Sequence, residues 1–200
     1  MAQSATKPDA SYTYADYLRW PDDERWELIH GVAYNMTPAP SRLHQEVSRE
    51  LLRQFANYLL GKRCQVYDAP FDVLLPAPGE SDLTASTVVQ PDLVVVCDPA
   101  KLDDQGCKGA PDLVVEILSP ATAAKDLKDK FVLYEHVGVE EYWIVHPVEK
   151  AVTVYRRGPE GLYGRPSVYT AGDRVPVGFL PELEIDLATV FSEPGTEEAV

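Results

Sequence analysis

The chain has 200 residues, 45% hydrophobic and 25% charged, a composition ordinary for a soluble globular protein and a length that suits one domain with a sizeable core. Its 18 Lys and Arg against 32 Asp and Glu give a formal net charge of −14, the wrong sign for a protein that coats nucleic acid by bulk electrostatics. The longest apolar runs are too short to span a bilayer, and the polar start lacks the apolar stretch of a signal peptide, so a cytoplasmic location without membrane partners is expected.

Residues 14–20 carry short helical periodicity, broken by Pro21-Asp22-Asp23. Residues 25–36 read as a small hairpin turning at His30-Gly31. Ser41 is placed to cap the longest helix, about residues 42–60, in which Leu43, Val47, Leu51, Leu52, Phe55, Tyr58 and Leu59 recur at steps of three and four and Gly61 supplies the stop. Residues 65–75 and 88–97 read as strands around a Pro/Gly/Ser-rich loop at 76–86, and a polar loop at 98–109 leads into a further strand ended by Ser119-Pro120. A second helix spans 123–137, followed by strands at 141–145, 151–155, near 162–169 and at 174–176, and by a short helix at 187–191. This order predicts an α/β fold, a central mixed sheet flanked by helices, in a single domain over 1–200 with disordered ends near 1–10 and 193–200. Cys64, Cys97 and Cys107 show no Cys-x-x-Cys spacing and are expected as free thiols.

Glu116 stands out within this pattern. It lies near the end of Pro111-Asp112-Leu113-Val114-Val115-Glu116-Ile117-Leu118-Ser119, apolar on both alternating faces, as in a strand covered on both sides. An ionised group there is costly unless it is paired or bound to a cation. A second run, Pro91-Asp92-Leu93-Val94-Val95, begins with the same five residue types and puts Asp92 at the start of an expected neighbouring strand. Two carboxylates converging beside a buried sheet can hold a hard divalent cation. The plain alternatives are a turn or cap role for Asp92, and more so for Asp112, and a structural ion pair for Glu116.

Asp92 on one strand, Glu116 on the next and a lysine-bearing helix directly after it resemble the PD-(D/E)xK nuclease superfamily, and within it the Uma-type family of restriction-endonuclease-like proteins. The resemblance extends from Trp26-Glu27-Leu28-Ile29-His30-Gly31 through Gln90-Pro91-Asp92-Leu93 and Val114-Val115-Glu116-Ile117-Leu118-Ser119-Pro120 to Lys130, Tyr134, Gly138-Val139 and Glu141-Tyr142-Trp143-Ile144-Val145. It implies a restriction-endonuclease-like fold and metal-dependent phosphodiester hydrolysis, an activity inferred for most members. The motif's usual lysine position, two after Glu116, holds Leu118, so the lysine must come from elsewhere. At about 100° per residue, Leu127, Phe131, Tyr134 and Gly138 define the inward stripe of the following helix; Lys130 falls on that side, whereas Lys125 and Lys128 point away. Lys130 is also where the Uma-type family places its lysine.

The expected roles follow from the chemistry. Asp92, Glu116 and the backbone carbonyl of Ile117 are candidate ligands for Mg²⁺ or Mn²⁺. Lys130 would hold or help deprotonate the attacking water and offset developing charge. Glu27 is a candidate third acid. His44 is a candidate for contacting phosphate or orienting an acid, against an ordinary helix-start role. Arg49, Arg53, Lys62 and Arg63 fit a solvated face better than a phosphate-binding one. The expected partners are nucleic acid, with DNA ahead of RNA, and a second copy of the chain. Two rivals are carried forward: a non-catalytic association module on the same fold, and a metal-independent hydrolase using Glu27 and Glu116 as acid and base.

Overall fold

The computed structural model describes residues 11–21, 23–36, 39–120 and 122–192. The ends expected to be disordered and Asp22 of the expected break lie outside the described residues. A short helix α1 (Tyr14–Tyr17) precedes a hairpin of β1 (Trp26–Ile29) and β2 (Val32–Asn35). The hairpin turns through His30 and Gly31, both at positive φ, as a two-residue turn matched to strand twist requires. Helix α2 (Arg42–Leu59) starts at Ser41, whose hydroxyl accepts from the His44 N–H. Strands β3 (Gln65–Asp68), β4 (Asp72–Leu74), β5 (Val88–Val89), β6 (Leu93–Val96), β7 (Gly106–Lys108) and β8 (Leu113–Ile117) follow. A π-helical segment (Lys125–Lys130) runs into helix α3 (Phe131–Val137), which stops at Gly138 in the left-handed region. The chain ends with β9 (Glu141–His146), β10 (Ala151–Arg156), β11 (Ser167–Thr170), β12 (Arg174–Val177), β13 (Leu180–Asp186) and helix α4 (Leu187–Val190).

The central sheet is mixed, with strand order β11-β10-β9-β8-β6-β3. β6 and β8 are antiparallel, and β8 and β9 parallel. Every residue of β6 and β8 is buried because both faces of the sheet are covered, as their unbroken apolar runs predict. One face sends Leu93, Val95, Leu113, Val115, Ile117 and Trp143 into a core shared with Val47, Leu51 and Phe55 of α2 and with Val175 and Ile185 of the β12–β13 ribbon. The other face sends Val94, Val96, Val114 and Ile144 against Leu133 and Tyr134 of α3 and against Ile29, Val73 and Val89 of a second sheet, ordered β2-β1-β5-β4-β7. Glu116 lies between Val115 and Ile117, so alternation turns it to this second face, towards α3.

Two stretches expected as continuous strands are divided between the sheets. Residues 65–75 leave the central sheet after β3 and enter the second sheet at β4; residues 88–97 make the reverse crossing from β5 to β6. Each crossing contains a proline, Pro70 or Pro91, which has no N–H to give to a ladder. Strand β7 lies in the stretch expected as a polar loop, and β13 in a stretch to which the sequence reading assigned no element.

The cysteine expectation is corrected. Cys64 and Cys97 sit one position beyond the Gln65↔Val96 pair of β3 and β6, directly opposite each other, and are joined by a disulfide. Cys107 alone is a free thiol; burial pushes its pKa up to about 11, as for an unreactive core cysteine.

Gly106 permits the parallel pairing of β4 with β7: a Cβ there would come 2.1 Å from the carbonyl oxygen of Asp72, its register partner. Gly106→Ala should therefore lower stability by about 2 kcal/mol or more in urea unfolding. Gly172→Ala, at a site with no atom within 4 Å of the added methyl, should stay within about 0.5 kcal/mol of wild type.

Candidate active site

Asp92 lies one position before the Leu93↔Val115 pair, which puts it opposite Glu116 at the end of the β6–β8 ladder. Its Oδ2 accepts from the Ile117 N–H at 2.7 Å and meets His44 Nε2 at 3.2 Å. The first contact ends the ladder; the second ties it to the start of α2. Asp112, the matching residue of the repeated run, performs the first task at the opposite end of the same two strands, accepting from the Cys97 N–H at 2.7 Å. The repeat is thus a pair of reciprocal strand-end contacts, and the cap reading for Asp112 holds. At the Asp92 end alone it is joined by His44 and Glu116.

Glu116, 3% exposed, accepts from Lys130 Nζ at 2.8 Å and from the Tyr134 hydroxyl at 2.7 Å, both on Oε1. Lys130, 1% exposed, also stands 2.7 Å from Glu27 Oε1 and 3.7 Å from Asp126 Oδ1. Glu27 is fully buried on β1, on the face shared with Ile29, and its Oε1 takes a further hydrogen bond from the Gln90 N–H at 3.0 Å. Its Oε2 lies 2.5 Å from Lys125 Nζ. Glu27, Asp92, Glu116 and Lys130 thus come to one locality, with His44 at its edge, from β1, β6, β8, α2 and the helix after β8.

Local winding explains a correction here. Lys125 was expected to face away and Leu127 inward; instead Lys125 pairs with Glu27, while Leu127 is 48% exposed. The expectation assumed α-helical turns, but residues 125–130 form a π-helical turn, hydrogen-bonded i to i+5. The wider turn brings residues five apart to one side, so Lys125 and Lys130 both reach Glu27. The Tyr142 hydroxyl donates to the Asp126 carbonyl at 3.0 Å and braces this turn. Lys128 faces solvent, as expected. On α2, Arg53 is engaged with Glu50 and the Lys62 ammonium lies over the Tyr58 ring, in keeping with a solvated face.

Asp126 is the residue that sequence reasoning missed. It is 2% exposed, and its Oδ1 has no hydrogen-bond partner among the described residues. The signal available was its four-residue spacing to Lys130 within a stretch whose single apolar residue is Leu127.

Electrostatics separates the acids. Burial opposes ionisation of Glu27, but the ammonium groups of Lys130 and Lys125 outweigh it and lower its pKa to about 2. Burial dominates at Glu116, whose pKa rises to about 8 despite Lys130, with Asp126, Asp92 and Glu27 adding to the rise. Asp126 is raised by burial as well, against the pull of Lys130. Burial disfavours the charged Lys130, yet Glu116, Glu27 and Asp126 hold its pKa well above the ordinary value. The surrounding acids thus favour the charged, hydrogen-bond-donating form of the lysine.

The pH dependence of stability follows. The folded state keeps a proton on Glu116 that the unfolded chain releases above 4.5, so this stabilising contribution is complete below 4.5 and is lost as pH rises to about 8. Urea unfolding in the presence of a chelator should show wild type losing stability across that window. Glu116→Gln should lose less and be the more stable of the two above it, because an amide relieves the desolvated charge. A variant less stable than wild type at every pH would assign Glu116 to a structural ion pair.

Comparison with known proteins places the chain in a family. An uncharacterized protein of Synechocystis is 30% identical over 169 residues, covering 80% of this chain and 82% of its own length. A crystal structure from Anabaena variabilis, described as "a putative nuclease belonging to DUF820", superposes with a TM-score of 0.70 at 21% identity, covering 90% of this chain and 97% of that one, a likeness of fold. Among the described residues no helix is long and apolar enough to cross a membrane. Residues 14–188 match the Uma2 family, and the chain belongs to this family, whose description is "Putative restriction endonuclease".

Proposed function

We propose that the protein is a Mg²⁺-dependent endonuclease that hydrolyses phosphodiester bonds of nucleic acid, with DNA the first substrate to test. The observation that carries this reading is the convergence of Asp92 and Glu116 on facing strand-end positions beside a buried, permanently charged lysine. Family membership and the nuclease-like fold support it.

The donor set suits a hard divalent cation. Asp92 Oδ1 and Glu116 Oε2 accept no hydrogen bond among the described residues, because Oδ2 and Oε1 take all the contacts of the two carboxylates. Four acids, Glu27, Asp92, Glu116 and Asp126, stand against two lysines, and burial raises the pKa of Glu116 and Asp126, a cost of ionisation that a bound cation would offset. Among the described residues no three His, Cys, Asp or Glu side chains form a metal-holding group. Mg²⁺ does not need one, since it keeps several waters and commonly takes one or two carboxylates. Asp92, Glu116 and the Ile117 carbonyl would hold it, and when bound it would polarise the phosphate and lower the pKa of an attacking water.

The chain's own groups supply the rest. Lys130 stays protonated and offsets charge developing on the phosphate oxygens, an effect strengthened by burial. Glu27 has both oxygens engaged and a depressed pKa, so it acts as the anchor that aims the lysines. An ammonium lying between Glu27 and Glu116 also removes the rationale for a metal-free acid and base pair of these residues. His44 fixes the orientation of the Asp92 carboxylate through Nε2.

With Mg²⁺ or Mn²⁺, wild type should cleave plasmid or single-stranded DNA, and Asp92→Asn and Glu116→Gln should each fall by at least about 100-fold. Lys130→Gln retains two donors for the flanking carboxylates and should remain folded and bind Mg²⁺ in calorimetry. Its cleavage should drop by at least about 100-fold. Cleavage surviving within a few-fold in Lys130→Gln would remove that lysine from the mechanism, and absence of any cleavage by wild type would favour an association module on the same fold.

A further inference from the structure

The two lysines held by Glu27 differ in what they have left to offer. An ammonium carries three donors. Those of Lys130 face Glu27 Oε1 at 2.7 Å, Glu116 Oε1 at 2.8 Å and Asp126 Oδ1 at 3.7 Å, and the side chain is 2% exposed. Lys125 has one carboxylate contact, to Glu27 Oε2 at 2.5 Å, and its side chain is 11% exposed. The ring of Tyr34 lies 5.6 Å from its ammonium. Lys125 therefore holds the outer position of the cluster with donors to spare, while Lys130 is enclosed by acids.

We propose that Lys125 is a substrate-positioning residue that donates to a phosphate of the bound nucleic-acid strand next to the bond being broken. The assignment rests on the phosphodiesterase reading above and adds to it a division of labour that the π-helical turn makes possible. A five-residue step brings both ammonium groups to one carboxylate, the inner one within the buried cluster and the outer one at its solvent edge. Glu27 fixes the Lys125 side chain before substrate arrives, so little rotamer freedom is lost when the phosphate binds. The overall charge of −14 makes such a local cation the more valuable, since the protein as a whole repels a polyanion.

The test uses the full chain and two readouts. Binding of a fluorescent single-stranded DNA and its RNA counterpart is followed by anisotropy in Ca²⁺ over a range of salt, and cleavage of the DNA is followed in Mg²⁺. Lys125→Ala should bind about tenfold more weakly. Its dependence of log affinity on log salt should be shallower by about 0.7, the loss of one phosphate contact on a single strand. In cleavage the loss should appear in KM, with kcat within about twofold of wild type. Lys125→Arg should restore affinity and slope, and Lys128→Ala, on the solvated face, should match wild type. Thermal melts identify any variant that is unfolded, and the Arg variant keeps the test decisive if the Ala variant fails to fold.

If wild type cleaves but Lys125→Ala shows unchanged KM and salt slope, the positioning role is overturned and the nuclease reading stands. A lower kcat at unchanged KM would likewise overturn it. If wild type binds DNA with the Lys125-dependent slope yet does not cleave, the positioning role stands and catalysis is what fails. If wild type neither binds nor cleaves, both readings fall.

Discussion

The structure depends on one buried cation. Lys130 brings an ammonium group into a site where water cannot solvate it, and acids from three different elements, β1, β8 and the π-helical turn, close around it. A charge in such surroundings is tolerated only when paired and hydrogen-bonded. The same contacts that satisfy it therefore fix the second sheet, the central sheet and the helix relative to one another. Truncating Lys130 would take the nearest cation from Glu116 and Asp126 and leave Glu27 with only one of its two ammonium partners, which separates it from an ordinary surface lysine. If the proposed chemistry holds, structural and chemical constraints fall on the same atom.

The acids around this cation are not equivalent, and their differences come from the count of partners. Glu27 faces two ammonium groups and a backbone N–H and is held ionised. Burial drives Glu116 towards its protonated form, and the one lysine that it shares with two other acids does not overcome that. Environment thus holds one carboxylate ionised and favours the neutral form of the other. The crossing at Gln90-Pro91-Asp92 makes this possible: Gln90 gives its N–H to Glu27 in the second sheet, and two residues later Asp92 is already at the end of the central one.

Much of this was legible in the sequence, and the misses have physical causes. Glu116 could be found because a carboxylate in an unbroken apolar run has no inexpensive explanation. Asp92 followed from the repeated run, and the hairpin and α2 from turn chemistry and a regular apolar stripe. Lys130 was placed inward by the stripe Leu127, Phe131, Tyr134 and Gly138 and by the family resemblance; it lies inward although Leu127, the first residue of that stripe, does not. The same construction failed at Lys125 and Leu127 because residues 125–130 bury charged groups, Asp126 and Lys130, so apolar periodicity could not register the wider turn. The sheet crossings could have been read from Pro70 and Pro91, and β13 from the alternation of Leu183 and Ile185 with Glu182 and Glu184. The three residues of β7 carry no pattern, and the opposition of Cys64 to Cys97 depends on a register visible only after folding.

The reciprocal contacts at the two ends of the β6–β8 pair make the molecule its own reference. Asp92 and Asp112 each receive the last amide of the opposing strand at 2.7 Å, one among acids and a histidine, the other beside a disulfide. The pair engages both carboxylates in the same way, whereas only the first lies in the proposed site. Asp112 therefore carries the scaffolding half of Asp92's work without the other half. What an amide substitution does at Asp112 measures what a strand end loses when its acceptor is weakened, and whatever Asp92 loses beyond that belongs to the site.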